Sequence, residues 1–378
     1  MTRPDGTVLL TGATGFVGME LLARYLERTD RPVVTIVRAG GDEAARERID
    51  AVLENLFGER AGRYADRVTT FAGDLTAPRL GLDAARWEWL ASQATMIMHG
   101  AASVSFDQTL EDARAINVEG TRRMLELAGR GRELGVLERY AQISTAYVAG
   151  THAGRFFECD HDVGQSFHNS YEQSKFEAER LVRSRPGLPF TILRPSIVVG
   201  DRYSGWTAAF NVLYWPLRAL ARGLFPAVPA LASSPVDVVS IDYVADGIHE
   251  LCESAGGIGQ TYHLTAAAEA STIGEVAELA SGYFRQPPPQ LLTPDEFELL
   301  EHGGMGRSMF EEGSAYFPYF SVTTTFDDAM ARARLEPAGI TVAPLREYMD
   351  RLLDYATMSR WGKHPIARAE AAAAFAGA

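Results

Sequence analysis

A tyrosine and a lysine stand four residues apart in "HNSYEQSKFEA". On a helix that spacing puts Tyr171 and Lys175 on one face, one turn apart. The pair reads either as an amphipathic surface contact or as an acid and the cation that tunes it. A free tyrosine ionises at about pH 10, so it works as an acid or base near neutrality only when a nearby ammonium stabilises its phenolate. Ser144 and Thr145 in "STAYVAG" stand at a strand end, where hydroxyls act as turn or cap residues. His99 in "MHGAA" reads as a structural histidine near a cofactor rather than a base. No set of His, Cys or carboxylates has zinc spacing, so no metal is expected.

A second piece of chemistry lies at the start of the chain. "TGATGFVG" supplies Gly12, Gly15 and Gly18 between an apolar run and a helical pattern. A turn this tight needs glycine for its backbone angles and for close approach to a pyrophosphate, and the helix N-terminus offers unpaired N–H groups to the phosphates. Dinucleotide binding follows from that context. At the end of the second apolar run, where an acid would bind the ribose hydroxyls of NAD, the chain has Arg38, with Arg46 and Arg48 following. Arginines there suit a ribose 2′-phosphate, so NADPH is expected over NADH. Asp74 in "GDL" reads equally as an acceptor for the adenine amino group and as a loop-turn aspartate.

These residues must be positioned by the elements around them. "TVLLT", "PVVTIVR", "RVTTFAGDL", "ATMIMHGAA", "RYAQISTAYV", "FTILRPSIVVG" and "QTYHLT" read as buried strands, with helix-like segments between them. Strands alternating with helices imply an α/β fold with a doubly wound parallel sheet. The pattern changes after Gly200: the stretch from Trp206 to Phe225 is apolar, aromatic and proline-bearing, and reads as a wall for a ligand or as helical core packing. "VDVVSIDYVADGIHEL" returns to the sheet unit. The division expected is residues 1–204 and 236–266 for the nucleotide-binding domain, and 205–235 and 267–378 for a smaller, largely helical substrate domain. The alanine-rich end "ARAEAAAAFAGA" reads as a frayed helical tail.

The 378 residues carry a net charge of −13, which argues against sequence-independent binding of nucleic acid. Cys159 and Cys252 are far apart and read as reduced thiols. There is no signal-peptide pattern and no apolar run long enough for a transmembrane segment, so a cytoplasmic protein is expected.

Taken in order, "TGATGFVG", "GDL", "HGAA", "NVEGT", "STAYVAG", "YEQSK" and "LRPSIVVG" resemble the extended short-chain dehydrogenases/reductases, a Rossmann family, over roughly the first 200 residues and the return segment. The resemblance makes Tyr171 the acid that meets the substrate oxygen and Thr145 a second donor to it. Lys175 would hold the nicotinamide ribose and lower the tyrosine pKa, and Asn117 would join the polar network of the site. The cofactor cradle it implies comprises Thr11, Gly12, Thr14, Gly15, Phe16, Val17 and Gly18 in the turn and Arg38 and Arg48 at the 2′-phosphate. Asp74, Leu75, Ala101, Ala102, Tyr171, Lys175, Pro195, Ser196 and Ile197 complete it.

"TGATGFVGMELLARYLE", "VVTIVRA" with "ARERI", "HGAASVSF" and "LRPSIVVGDRYSG" look like the thioester reductase and fatty acyl-CoA reductase branch. "YFPYFSVTTTFDDAMAR" is loosely similar to the region after the reductase core in some acyl reductases. The implied activity is NADPH-dependent reduction of an acyl thioester to an aldehyde or on to an alcohol. No adenylation or carrier segment is apparent, so the thioester is expected on acyl-CoA or on a separate phosphopantetheinyl carrier protein. Arg218 and Arg222, one turn apart, read more as a solvated face than as a phosphate contact. The same fold also serves epimerases and dehydrogenases of sugar nucleotides or steroid-like alcohols, which is the alternative activity. A non-catalytic NADP-binding regulator would be expected to lack the Tyr171/Lys175 pair.

Overall fold

Seven short runs rich in β-branched and apolar residues pair side by side; most are almost wholly buried, whereas Val68–Ala72, at one edge, turns Thr69 to water. In the computed structural model, which describes residues 6–210, 212–223, 227–293, 296 and 314–375, all seven expected strands form one parallel sheet. Features at residues 1–5, 211, 224–226 and 376–378, including parts of the aromatic stretch and of the alanine-rich end, lie outside the described residues. β1 (Thr7–Thr11) leads into α1 (Phe16–Arg28), and β2 (Val33–Val37) into α2 (Asp42–Phe57). β3 (Val68–Ala72) precedes α3 (Ala84–Gln93), and β4 (Ala94–His99) precedes α4 (Glu119–Glu133). β5 (Arg139–Ile143) is followed by α5 (Ser170–Arg183), β6 (Phe190–Pro195) by α6 (Ile241–Glu253), and β7 (Gln260–Leu264) closes the set.

The sheet order is β7-β6-β5-β4-β1-β2-β3, which reverses direction between β1 and β4. In such a sheet ligands bind beyond the carboxyl ends of the strands at that switch point. Successive residues of β1 serve opposite layers: Val8 and Leu10 pack with α1 and α6, whereas Leu9 packs with α3 and α4.

A separate apolar cluster forms over the carboxyl ends. The helices Tyr214–Ala221, Ile273–Phe284 and Met349–Met358 meet there through Leu217, Leu220, Val276 and Leu352. Short parallel strand pairs frame it: Ile197–Val199 with Val238–Ser240, and Ala227–Pro229 with Gln290–Leu292. We refer to this unit as the cap.

Two late helices pack on the sheet side. Ala329–Leu335 lies against α6 and β7, and Arg368–Phe375 lies against α2. The alanine-rich segment is therefore a docked helix over its described residues, not the frayed tail its composition suggested. Ala371 is fully buried, and Arg368 forms a 2.6 Å ion pair with Glu20, itself buried on α1. Small side chains let the backbones approach closely: a Cβ on Gly58 at the end of α2 would lie 3.5 Å from that of Ala369.

Candidate active site

The glycine turn sits between β1 and α1, as its sequence requires. Gly12 has φ +82°, and a Cβ there would come within 2.7 Å of the Ala101 backbone nitrogen. A Cβ on Gly18 would overlap the Gly12 carbonyl, so that glycine lets α1 press against the turn. The first turn of α1 carries no acidic residue, which leaves its N–H groups suited to an anion. Thr11, at the end of β1, hydrogen-bonds to His99 Nδ1 at 2.8 Å and accepts from the Ala101 nitrogen at 3.3 Å, joining the turn to the "HGAA" segment. Burial holds the His99 pKa down to about 3, so this imidazole is neutral and structural.

The arginines divide. Arg48 donates to the Arg38 carbonyl at 2.6 Å and reaches Thr14 Oγ1 at 3.5 Å, so its guanidinium bridges the end of β2 and the glycine turn. Arg46 is turned away, paired with Asp50 and directed at the Ala65 and Val68 carbonyls. Asp74 Oδ1 accepts from the Thr76 nitrogen and hydroxyl at 2.9 and 2.8 Å, a turn-forming role. Leu75 packs over Gly120, where a Cβ would lie 3.3 Å from its own. Pro195, Ser196 and Ile197 lie where β6 passes into the cap strand Ile197–Val199. Phe16 packs on the buried Trp206, whose indole donates to the Ile366 carbonyl. These turns lie at the carboxyl ends of the strands, and the glycine cradle has the shape a dinucleotide needs.

The second group of residues is positioned by β5 and α5. Asn169 caps α5 by accepting from the Glu172 nitrogen at 3.0 Å, which fixes Tyr171 in the first turn. Lys175 lies one turn later, 4% exposed, with Nζ donating to the Ile143 carbonyl at 2.7 Å. Burial lowers its pKa to about 8, against the opposing charge of Glu179. Thr145 caps the short helical turn Ala146–Ala149, accepting from the Tyr147 nitrogen at 3.2 Å. Burial raises the Tyr171 pKa to about 12, while the Thr145 hydroxyl draws it down. The phenol thus stands above its ordinary value rather than below it, because desolvation is the largest influence on it.

Asn117 lies in a π-helical turn, Arg114–Val118, that leads into α4. Its amide accepts from the Ser103 nitrogen at 2.8 Å and donates to the Ser103 carbonyl at 3.0 Å and to Ser174 Oγ at 2.9 Å. The residue therefore clamps the loop after β4 to the helix that bears Tyr171 and Lys175. A second clamp is the fully buried Glu179–Arg194 pair, with contacts of 2.9 and 2.7 Å between α5 and β6. Burial works against the Glu179 charge, yet Arg194 holds its pKa down to about 2.

Sequence reasoning missed the group beside Tyr171. Glu172 is fully buried; its carboxylate accepts from the His168 nitrogen at 2.9 Å and from the Tyr319 hydroxyl at 2.5 Å. The same carboxylate meets His168 Nδ1 at 3.1 Å, and this side-chain contact raises the His168 pKa. Phe106 packs between Tyr171 and Tyr319, with ring centroids 5.8 and 5.6 Å away. "YEQSK" displays Glu172, and "HGAASVSF" displays Phe106, but nothing local signals a partner 147 residues away. Beyond Tyr319 lies a cavity of about 990 Å³, counting its open mouth, under the cap. Tyr147, Ile197 and Tyr319 form its near end. The aromatic stretch after Gly200 splits: Leu213, Trp215 and Leu220 line this cavity, whereas Phe210 and Trp206 pack on Tyr355 and Phe16.

Among the described residues, no helix is long and apolar enough to cross a membrane, and no group of three or more His, Cys, Asp or Glu could hold a metal ion.

Comparison with known proteins agrees with this architecture. Residues 10–248 match the NAD-binding family model described as male sterility protein. An isonitrile lipopeptide synthase of Streptomyces coeruleorubidus is 37% identical over 231 residues, 59% of this chain and 15% of that protein. A carboxylic acid reductase of Mycobacterium marinum is 30% identical over 288 residues, 68% of this chain and 24% of that protein. The chain thus spans a quarter or less of the length of these two relatives. Among solved structures, the terminal R domain from the myxalamid PKS-NRPS pathway superposes with a TM-score of 0.81 at 27% identity, over 97% of this chain and 94% of that one. The chain belongs to the male sterility family, on the thioester-reductase branch of the extended short-chain dehydrogenases/reductases, and is a nicotinamide-dependent oxidoreductase.

Proposed function

We propose that this protein reduces an acyl thioester, carried on a phosphopantetheinyl carrier protein or on coenzyme A, to the aldehyde with NADPH. The observation that carries the reading is the position of Tyr171 and Thr145, between a glycine cradle and an apolar cavity. A carrier protein is supported by relatives that are peptide synthases, and NADPH by the Arg48 guanidinium held between Thr14 and the Arg38 carbonyl. In the proposed cradle the α1 N-terminus faces the pyrophosphate, Arg38 and Arg48 the 2′-phosphate, and the free Asp74 oxygen the adenine. We assign residues 1–204 and 236–266 to nucleotide binding and 205–235 and 267–378 to the acyl group, except that Ala329–Leu335 and Arg368–Phe375, which pack on the sheet side, belong with the first unit. Two unpaired thiols, Cys159 and Cys252, fit a cytoplasmic setting.

When bound, the nicotinamide supplies a hydride to the thioester carbonyl carbon. The carbonyl π pair then moves onto oxygen, where the Tyr171 and Thr145 hydroxyls stabilise it as it develops. Tyr171 gives its proton to that oxygen, producing a hemithioacetal. The C–S bond then breaks: its electron pair leaves with sulfur, the O–H pair forms the carbonyl, the released proton passes to sulfur, and the products are a free thiol and an aldehyde. The buried ammonium of Lys175 favours the phenolate left behind and holds the nicotinamide ribose, and Asn117 fixes the loop and helix that carry these groups.

The test is NADPH consumption with acyl-CoA and acyl-carrier thioesters, run beside nucleotide sugars and sterols, with product analysis for aldehyde and alcohol. Oxidation of NADPH by a thioester with stoichiometric release of thiol is the expected result. Turnover of a nucleotide sugar or sterol with none of any thioester overturns the reading.

A further inference from the structure

The helix that carries Tyr171 is tied at successive turns, but not always to the same unit. Further along α5, Ser174 meets Asn117, Lys175 meets the Ile143 carbonyl, and Glu179 meets Arg194, all within the sheet unit. The first turn has one tie of that kind, from Ser170 Oγ to the Gln108 carbonyl at 2.8 Å. Its other tie is Tyr319, in the short helical segment Ser314–Ser321. The Tyr319 hydroxyl donates to Glu172 at 2.5 Å and accepts from the Asn169 amide at 2.7 Å, while Asn169 itself caps the turn through the Glu172 nitrogen. One phenol thus binds both the capping residue and the residue after Tyr171. The carbonyl of Phe320, next in sequence, accepts from the Leu231 nitrogen at 3.2 Å, which joins this segment to the loop after the cap strand Ala227–Pro229. The Tyr319 ring stacks on Phe106, which lies against Tyr171, and meets edge-on the ring of Tyr147, two residues after Thr145. It also lines the cap cavity.

We infer that Tyr319 is a positioning residue for proton transfer: through Glu172 and Asn169 it fixes the first turn of α5, and through Phe106 the ring, so that the Tyr171 hydroxyl points at the reacting oxygen. The inference rests on Tyr171 being the acid of the reductase reading, not on the thioester. Glu172 and Tyr319 are both buried, so loss of the phenolic donor leaves the carboxylate with only His168. A buried charge short of a partner is costly, and that cost selects one seating of the segment against α5. An acid displaced by about 1 Å loses on the order of 100-fold in rate, so a tie one residue away from Tyr171 is felt in the chemistry.

Three variants of the full chain test this, each checked for folding by its melting curve. Tyr319→Phe keeps the ring and removes the donor, Glu172→Gln keeps an acceptor and removes the charge, and the third carries both changes. The first measurement needs no substrate. Hydrogen exchange of peptides spanning residues 168–174 is expected to quicken about tenfold in Tyr319→Phe, with β1 and α1 unchanged. The second is turnover of an acyl-CoA thioester with NADPH. For Tyr319→Phe, kcat is expected to fall about 30-fold while KM for NADPH stays within about twofold. The solvent deuterium isotope effect on kcat is expected to increase with it, because proton transfer becomes the slow step. Glu172→Gln is expected to lose about tenfold, and the double variant to be no slower than Tyr319→Phe, because residues that act through one bond are not additive. Losses that multiply in the double variant, or a fall in kcat with an unchanged isotope effect, overturn the inference. Unchanged exchange at residues 168–174 overturns it whatever the substrate. Turnover of a nucleotide sugar or sterol in place of any thioester sinks the thioester reading alone, and a larger isotope effect on that substrate in Tyr319→Phe still upholds the inference.

Discussion

Around Tyr171 the polar side chains are tied to fixed partners: Lys175 to the Ile143 carbonyl, Asn117 to Ser103 and Ser174, Glu172 to His168 and Tyr319, and Glu179 to Arg194. Under the cap the cavity is almost all carbon, and its walls come from short helices and two-stranded pairs. The first region controls direction, because buried hydrogen bonds are lost steeply when their geometry changes. The second controls size, because dispersion contacts are individually weak and add with area. Damage to the first should therefore be blind to the acyl group, whereas damage to the second should depend on it.

The largest separation between the regions is expected from Tyr171→Phe. It keeps the ring against Phe106 but removes the proton, so kcat should fall by about 10³-fold for every thioester. A steady-state comparison across acyl groups checks this; a loss confined to long chains would erase the distinction. Arg48→Ala comes next. Losing a charge-assisted contact to a phosphate should raise KM for NADPH by about 10- to 100-fold and leave KM for NADH nearly unchanged, as measured by paired cofactor titrations.

A pH profile then sharpens the account of the polar side. Lys175 carries its proton below its pKa of about 8, so kcat/KM for the cofactor should be flat below that pH and fall about tenfold per unit above it. Its stability effect has the opposite sign. The unfolded lysine, at the ordinary 10.5, binds a proton that the folded lysine has lost, so this group's contribution to folding improves between about pH 8 and 10.5. Denaturant titrations of wild type and Lys175→Met across that window separate the two effects. The smallest effect lies far from either region. Arg368→Ala should cost about 1 kcal/mol, since Glu20 retains Arg24, and should lower the melting midpoint without altering kcat.

The same division governs how much could be read from the sequence. The sheet was legible because each buried strand announces itself locally: β2 is "VVTIV", all five residues buried. The glycine turn and the Tyr171/Lys175 spacing were legible because their chemistry requires nearby residues at fixed intervals. The pairing of Tyr319 with Glu172 was not, since a phenol in "YFPYFS" has no periodic relation to a carboxylate 147 residues earlier. The alanine-rich end misled for a related reason. Its composition describes a helix with nothing to bury, whereas its small side chains are what allow it to lie close against α2. Likewise residue type alone does not separate Arg46 from Arg48; the resemblance singles out Arg48, and the helix rotation sends Arg46 to Asp50 and Arg48 to the Arg38 carbonyl.

The hydrogen bond from Tyr319 to Glu172 also bears on how such a protein diversifies. Glu172, the residue after Tyr171, is fastened to Tyr319 in the wall of the cap cavity, so a change at either end is felt at the other. Transplanting a foreign cap onto this sheet unit would leave a carboxylate stranded in carbon unless the new segment brought a donor to the same spot. A workable chimera would therefore take its junctions outside residues 168–172 and 319, and carry both ends of that bond across together.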